Sequence, residues 1–206
     1  MLISFEGIDG SGKSTQIAKL ADWLRAKDYD VLTTREPGGT ATGEAVRALL
    51  LNPESHISAR AEFLLYSASR AQLVDDVIRP HLKRTRAVVI ADRYADSSTA
   101  YQGAGRELGL EEVEKVNVFA TGNLAPDLTL YLDVDYSTSE ARRNSAGSKP
   151  DRLERNPREF FERVREGYLA LAKAHPERVR VIDARQNEEQ VFERICAEVA
   201  PLLAGK

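Results

Sequence analysis

Gly7-Ile8-Asp9-Gly10-Ser11-Gly12-Lys13-Ser14 matches the spacing G-x-x-x-x-G-K-[ST], that of a loop wrapping a phosphate chain. The chemistry follows from the residue types. Glycines accept positive φ, so the backbone can curl around an anion. Free N–H groups of the loop, and of the helix it opens, then point at phosphate oxygens. Lys13 is spaced to reach the β- and γ-phosphates of a nucleotide, and the Ser14 hydroxyl to bind Mg²⁺. A glycine-rich turn with a surface lysine is the plain alternative, but the flanks argue against it. Leu2-Ile3-Ser4-Phe5 has strand character, and Ile17, Leu20, Ala21 and Leu24 recur at helical spacing.

Other candidates lie farther along. An apolar run, Ala87–Ala91, leads into Asp92-Arg93-Tyr94. An acid at the end of a buried strand can hold Mg²⁺, commonly through water, and Arg93 beside it can clamp a phosphate with paired hydrogen bonds. Thr34-Arg35-Glu36-Pro37-Gly38-Gly39-Thr40 places a charged pair before a tight turn. Thr42 is a candidate cap for the next helix, which carries Arg47. Tyr66 and Arg70, four apart in a helical pattern, share a face; they could stack on and hydrogen-bond a nucleobase, or be a core ring beside a surface cation. Asp9 inside the phosphate loop needs a cation, sugar hydroxyl or basic group to face. Asp151 and Glu154 flank Arg152; they could reach a substrate or simply open a solvated helix.

These residues need a frame. Strands are expected at Leu2–Glu6, Tyr29–Thr34, Ala87–Ala91, Leu128–Asp133 and Arg178–Asp183. Helices are expected at Lys13–Lys27, Gly43–Leu51, Ala59–Leu82, Leu110–Thr121, Thr138–Asn144, Pro157–His175 and Glu188–Leu203. Such alternation predicts one α/β domain over 1–206, a three-layer sandwich with a five-stranded parallel sheet covered on both faces. Ligands collect at the carboxyl ends of such strands. Asn144–Pro150 is small, polar and broken by Gly147 and Pro150, with Arg142 and Arg143 before it and Arg152 and Arg155 after; it reads as a mobile lid at about residues 142–154.

Composition narrows the class. The 206 residues are 42% hydrophobic with formal net charge −3, enough for a sizeable core and not the profile of a general nucleic-acid-binding surface. The single Cys196 excludes an internal disulfide and is expected to be buried in an amphipathic helix. His56, His81 and His175 are too scattered for a zinc site. No apolar run approaches the roughly 20 residues that cross a bilayer, and no signal peptide is evident. A cytoplasmic protein is expected.

Glu6–Thr15, Thr34–Thr40, Asp92-Arg93-Tyr94 and Asp151-Arg152-Leu153-Glu154, in this order and spacing, resemble the thymidylate (dTMP) kinase family along essentially the whole chain. The resemblance implies transfer of the γ-phosphate of ATP to dTMP with Mg²⁺, and a homodimer. It implies that Gly7, Ile8, Asp9, Gly10, Ser11, Gly12, Lys13, Ser14 and Thr15 bind ATP, with Arg185 near the adenine. It places Arg47 and Arg93 on the dTMP phosphate, Asp9 near the sugar 3′-hydroxyl and that phosphate, Tyr66 on thymine, Arg70 at its carbonyl and Ser98 near the base. Tyr101 would crowd the ribose 2′ position, and Asp151 and Glu154 would reach the substrate. Ser14, Asp92, Asp9 and Glu36 would stand around the metal. The phosphate loop lacks an arginine, so the lid should supply a catalytic cation from Arg142, Arg143, Lys149 or Arg152, with Arg143 preferred and Arg152 next.

Other readings stay open at this level. Another P-loop kinase, acting on a different nucleoside monophosphate or a small metabolite, would share the loop. A GTP switch would need N-K-x-D and D-x-x-G segments, which the chain lacks. A non-catalytic nucleotide-binding module would not need Lys13, Ser14 and Asp92 together.

Overall fold

The computed structural model describes residues 1–147 and 150–203. Five strands, β1 (Leu2–Glu6), β2 (Asp30–Arg35), β3 (Ala87–Asp92), β4 (Leu128–Asp133) and β5 (Val179–Asp183), form one sheet in the order β2-β3-β1-β4-β5. Every neighbouring pair is parallel, as the strand–helix alternation predicts. Side chains alternate across the sheet. Ile3, Phe5, Val88 and Ile90 enter one core, while Leu2, Val89 and Ala91 enter another with Leu73, Val74, Ile78 and Tyr94. β2 is an edge strand, and its residues remain half-exposed or exposed.

β1 leads through the glycine loop into α1 (Lys13–Arg25). α2 (Ala41–Leu51) follows β2, capped by Thr40, whose side chain accepts from Gly43 N. The expected cap, Thr42, lies inside the helix instead. Threonine at 40 has the extended backbone that a cap needs.

The long helix expected over 59–82 is interrupted. α3 (Ala59–Leu73) passes through a π-helical turn, Val74–Ile78, into the short α4 (Arg79–Leu82). Pro80 stands at the start of α4. Its ring conflicts with an ordinary α-turn and it has no N–H to donate, and a wider turn relieves both.

A further helical segment escapes the periodicity altogether. α5 (Ala95–Ser98) continues as a π-helical stretch, Thr99–Gly105. Ala100, Ala104 and Gly105 are small because α8 (Arg158–Ala174) packs closely on them. A Cβ added at Gly105 would meet the Phe160 ring at 2.7 Å, and one at Gly167 would meet Ala104 Cβ at 2.8 Å. α6 (Leu110–Thr121), α7 (Tyr136–Ala146) and α9 (Glu188–Leu203) complete the chain. Cys196 on α9 is half-buried rather than buried, because it flanks the core stripe Val191, Ile195 and Val199.

β1 and β3 are neighbours whose connections leave in opposite directions, toward β2 and β4 respectively. The crevice at their carboxyl ends is where such sheets bind ligands.

Candidate active site

The glycine loop rises from β1 at that crevice. Gly7 has φ 138° and Gly10 φ 80°; a Cβ at either would come within 2.7 Å of a carbonyl, Leu132 O and Ser139 O respectively. Only glycine fits both the torsion and the space. Lys13 Nζ donates to Gly7 O (2.9 Å) and Ile8 O (3.2 Å) and lies 3.9 Å from Asp9. Burial and the adjacent Arg93 charge lower its pKa. Ser14 and Thr15 are exposed at the top of α1, and Ser14 faces a concavity that Asp92 also lines.

Arg93 connects the loop to a second pocket. Its φ is 69°, and its N–H donates to Phe5 O (2.9 Å). Nη1 donates to Gly7 O and Nη2 to Asp9 Oδ1, both at 2.9 Å, while the guanidinium lies 5.0 Å from the centre of the Tyr101 ring. Burial works against ionising Asp9, but Arg93 and Lys13 outweigh it and hold its pKa down to about 2. Beneath them, Glu6 accepts from Tyr94 N (2.8 Å), Ser97 Oγ and Tyr168 Oη (3.0 Å). Burial and nearby Asp96 push its pKa up to about 8.

The second pocket is walled by Asp9, Glu36, Arg47, Tyr66, Arg70, Arg93, Ser98, Tyr101 and Asp151, with Pro37, Leu51, Ser97, Gln102 and Leu153. The structure brings the nine named first together around one cavity. Ser97, Gln102, Leu51 and Leu153 had not been singled out as site residues. Arg93, Ser97 and Tyr101 stand at i, i+4 and i+8, a signal legible only once 95–105 is read as helical. Arg47 Nη1 donates to Pro37 O (3.0 Å), and the Glu36–Pro37 bond is cis.

Glu36 departs from its expected place at the metal. It turns inward from the end of β2, 5% exposed, and Oε2 accepts from Arg70 Nε at 2.8 Å. Arg70, 1% exposed, also donates to Asn117 Oδ1, Tyr94 O and Ser98 Oγ. A buried guanidinium needs a carboxylate partner, and Glu36 supplies it. Burial raises the Glu36 pKa, against the pull of Arg70, and its Oε1 is left without a hydrogen-bond partner.

The family described as Thymidylate kinase matches residues 5–195. The chain belongs to the thymidylate kinase family. A thymidylate kinase of Clavibacter sepedonicus is 46% identical over 205 residues, spanning 100% of this chain and 97% of that protein. One from Deinococcus radiodurans is 48% identical over 200 residues, spanning 97% and 96%. The crystal structure of thymidylate kinase from Ehrlichia chaffeensis superposes with TM-score 0.79 at 33% identity, covering 97% of this chain and 98% of that one. As a member of this family the chain is an ATP-dependent phosphotransferase that converts dTMP to dTDP.

For a thymidylate kinase the lid cations are the remaining question. Arg143 lies against the phosphate loop. It is 3.9 Å from Glu154, its guanidinium is 5.6 Å from the Phe161 ring centre, and its Nε has no hydrogen-bond partner. Arg142 bridges the loop and the end of β5, donating to Gly10 O (3.3 Å) and Ala184 O (2.9 Å). Arg152 is not poised as a lid cation. Its Nε donates to Leu50 O (2.7 Å) and its Nη2 lies 2.7 Å from Glu62 Oε2, so its charge is already engaged by a carbonyl and a buried carboxylate. Lys149 lies outside the described residues.

Glu154 lines no part of the pocket. It closes a turn instead, accepting from Asp151 N while Asp151 Oδ1 accepts from Glu154 N. Arg185 is exposed and paired with Asp183 at 2.8 Å. Among the described residues no three His, Cys, Asp or Glu side chains converge as a metal cluster, and no helix is long and apolar enough to cross a membrane.

Proposed function

We propose that the phosphate loop holds ATP, the Tyr66 pocket holds dTMP, and Arg93 stands at the seam where their phosphates meet. One observation carries this reading: a single guanidinium touches the loop at Gly7 O, pairs with Asp9, and forms part of the pocket wall. Phosphoryl transfer needs alignment and cations around spreading charge more than covalent help. A dTMP phosphate oxygen attacks the γ-phosphorus as the bond to the β,γ-bridging oxygen breaks, leaving ADP. No general base is needed, since the attacking oxygen is already ionised.

Lys13 would exchange its loop carbonyls for donor phosphate oxygens. Arg47 and Arg93 would hold the acceptor phosphate in line, Arg143 would reach the transferred group from the lid side, and Asp9 would keep Arg93 aimed. Tyr66 would stack on thymine, and Arg70, fixed by Glu36, would face its carbonyl with Ser98 beside it. Tyr101 would exclude a 2′-hydroxyl. Arg142, between Gly10 and Ala184, would border the adenine, with Arg185 at the rim.

Ser14 and Asp92 fit Mg²⁺, which binds through one or two protein oxygens together with phosphates and waters rather than an all-protein cage. When bound, it would neutralise charge developing on the phosphates.

A homodimer built on the α2–α3–α6 side is part of the proposal. Leu49, Leu64, Val118 and Phe119 are large apolar side chains left 48%, 59%, 52% and 88% exposed there, and such patches mark contact surfaces. A cytoplasmic setting suits these nucleotide substrates. The assay offers ATP–Mg²⁺ with dTMP, dUMP, dCMP and dGMP, and identifies products by mass for the wild type and for Arg93→Ala, Arg47→Ala and Tyr66→Ala. Normal turnover in both arginine variants would overturn the site assignment.

A further inference from the structure

Glu62 lies one helical turn before Tyr66 and two before Arg70 on α3, and the phosphoryl-transfer scheme gives it no task. It is fully buried, 0% exposed. Its carboxylate is gripped from two sides of the pocket. From the π-helical stretch, Gln102 Nε2 donates to Oε1 (3.0 Å), and just beyond that stretch Arg106 donates through Nε to Oε1 and through Nη2 to Oε2, both at 3.1 Å. From the segment after the lid, Arg152 Nη2 lies 2.7 Å from Oε2. Burial works against the charge, but hydrogen bonds from Arg106 and Gln102 outweigh it and lower the pKa.

Arg152 also donates to Leu50 O and takes the Leu51 carbonyl with its backbone N–H (3.3 Å), satisfying carbonyls that the end of α2 leaves open. Its sequence neighbours, Asp151 and Leu153, are both pocket walls, and so is Gln102. One carboxylate therefore joins α3, the helical stretch bearing Tyr101 and the segment that follows the lid. Apolar packing would stabilise such a junction equally well. What charge adds is fixed direction: Arg106 grips the carboxylate through two hydrogen bonds, and the held carboxylate pairs with the Arg152 guanidinium at 2.7 Å.

We propose that Glu62 is a positioning residue for thymidylate binding: acting through Arg152 and Gln102, it ties the segment after the lid to the pocket helix, so that Asp151 and Leu153 stand as its walls. The inference rests on the Tyr66 pocket being the dTMP site.

The test compares Glu62→Gln and Arg152→Met with wild type and with Tyr66→Ala. It measures melting temperature, KM for each substrate, kcat, and amide exchange over 151–156. Both variants are expected to raise KM for dTMP at least tenfold while KM for ATP stays within twofold, with faster exchange confined to 151–156. Arg152→Met alters a half-buried side chain and keeps its packing, so it remains informative if Glu62→Gln folds poorly. Their combination should raise KM little beyond either alone. A folded variant with both KM values unchanged, or one in which only apparent kcat falls in proportion to lost folded protein, overturns the coupling. If Tyr66→Ala also leaves KM for dTMP unchanged, the pocket reading falls with it; a defect in Tyr66→Ala alone defeats only the role of Glu62.

Discussion

Arg93 Nη2 and Asp9 Oδ1 stand 2.9 Å apart across the crevice between β3 and β1. The pair links the strand end that carries Arg93 to the loop that opens α1. Asp9 stays ionised down to about pH 2, so the guanidinium keeps its aim through the working pH range. Arg93→Ala should therefore lower kcat by about 10²–10³-fold, the size of losing one pre-placed transition-state donor. The melting temperature should change little, because alanine inherits the same left-handed backbone cost. Steady-state kinetics beside a thermal melt decides it; near-normal kcat would remove Arg93 from the acceptor site.

Tyr66 is 9% exposed yet forms pocket wall. Tyr66→Ala should weaken dTMP binding by about 1–3 kcal/mol, the usual worth of a base–aromatic stack, and leave ATP affinity intact. Calorimetric titration with each nucleotide separates the two. Equal losses would mean that the ring only fills the core.

Glu6 makes stability depend on pH. Its folded pKa is about 8 against an ordinary 4.5, so the folded protein keeps a proton that the unfolded chain releases. This contribution is complete below pH 4.5 and is lost as pH rises through about 8; it amounts to roughly a few kcal/mol. Glu6→Gln stays neutral throughout, and the Ser97 and Tyr168 hydroxyls can accept from its amide. Denaturant midpoints from pH 5 to 9 should fall with rising pH in the wild type and run flatter in the variant. Parallel curves would mean that Glu6 is ionised in the fold.

Phe119 is the most exposed large apolar side chain among the described residues, at 88%, with Val118 and Leu64 also open. Phe119→Glu should convert a dimer to monomer in sedimentation experiments at micromolar concentration, since burying an unpaired carboxylate opposes association. An unchanged sedimentation coefficient would place the interface elsewhere.

Local signals carried far in this chain. The glycine loop, the parallel sheet and the strand-end pair Asp92-Arg93 were legible because each rests on short-range chemistry: a torsion only glycine tolerates, short apolar runs alternating with helical periods, an apolar run ending in charge. Tyr66 and Arg70 were legible as a shared helix face. Which partners charged side chains would take was not. Glu36 and Arg152 look like free ligand groups in the sequence, and the fold gives both to other buried charges, Arg70 and Glu62. The stretch 95–105 carries no clear helical period because the positions that face α8, Ala100, Ala104 and Gly105, are small for the sake of that helix, packed from far along the chain. Sequence by itself determined the architecture and the kind of chemistry, since both depend on neighbours along the backbone. Tertiary structure alone decided which charged side chains are paired inside the fold and which line the pocket, because a buried charge is assigned by whatever opposite charge the fold brings within hydrogen-bonding distance.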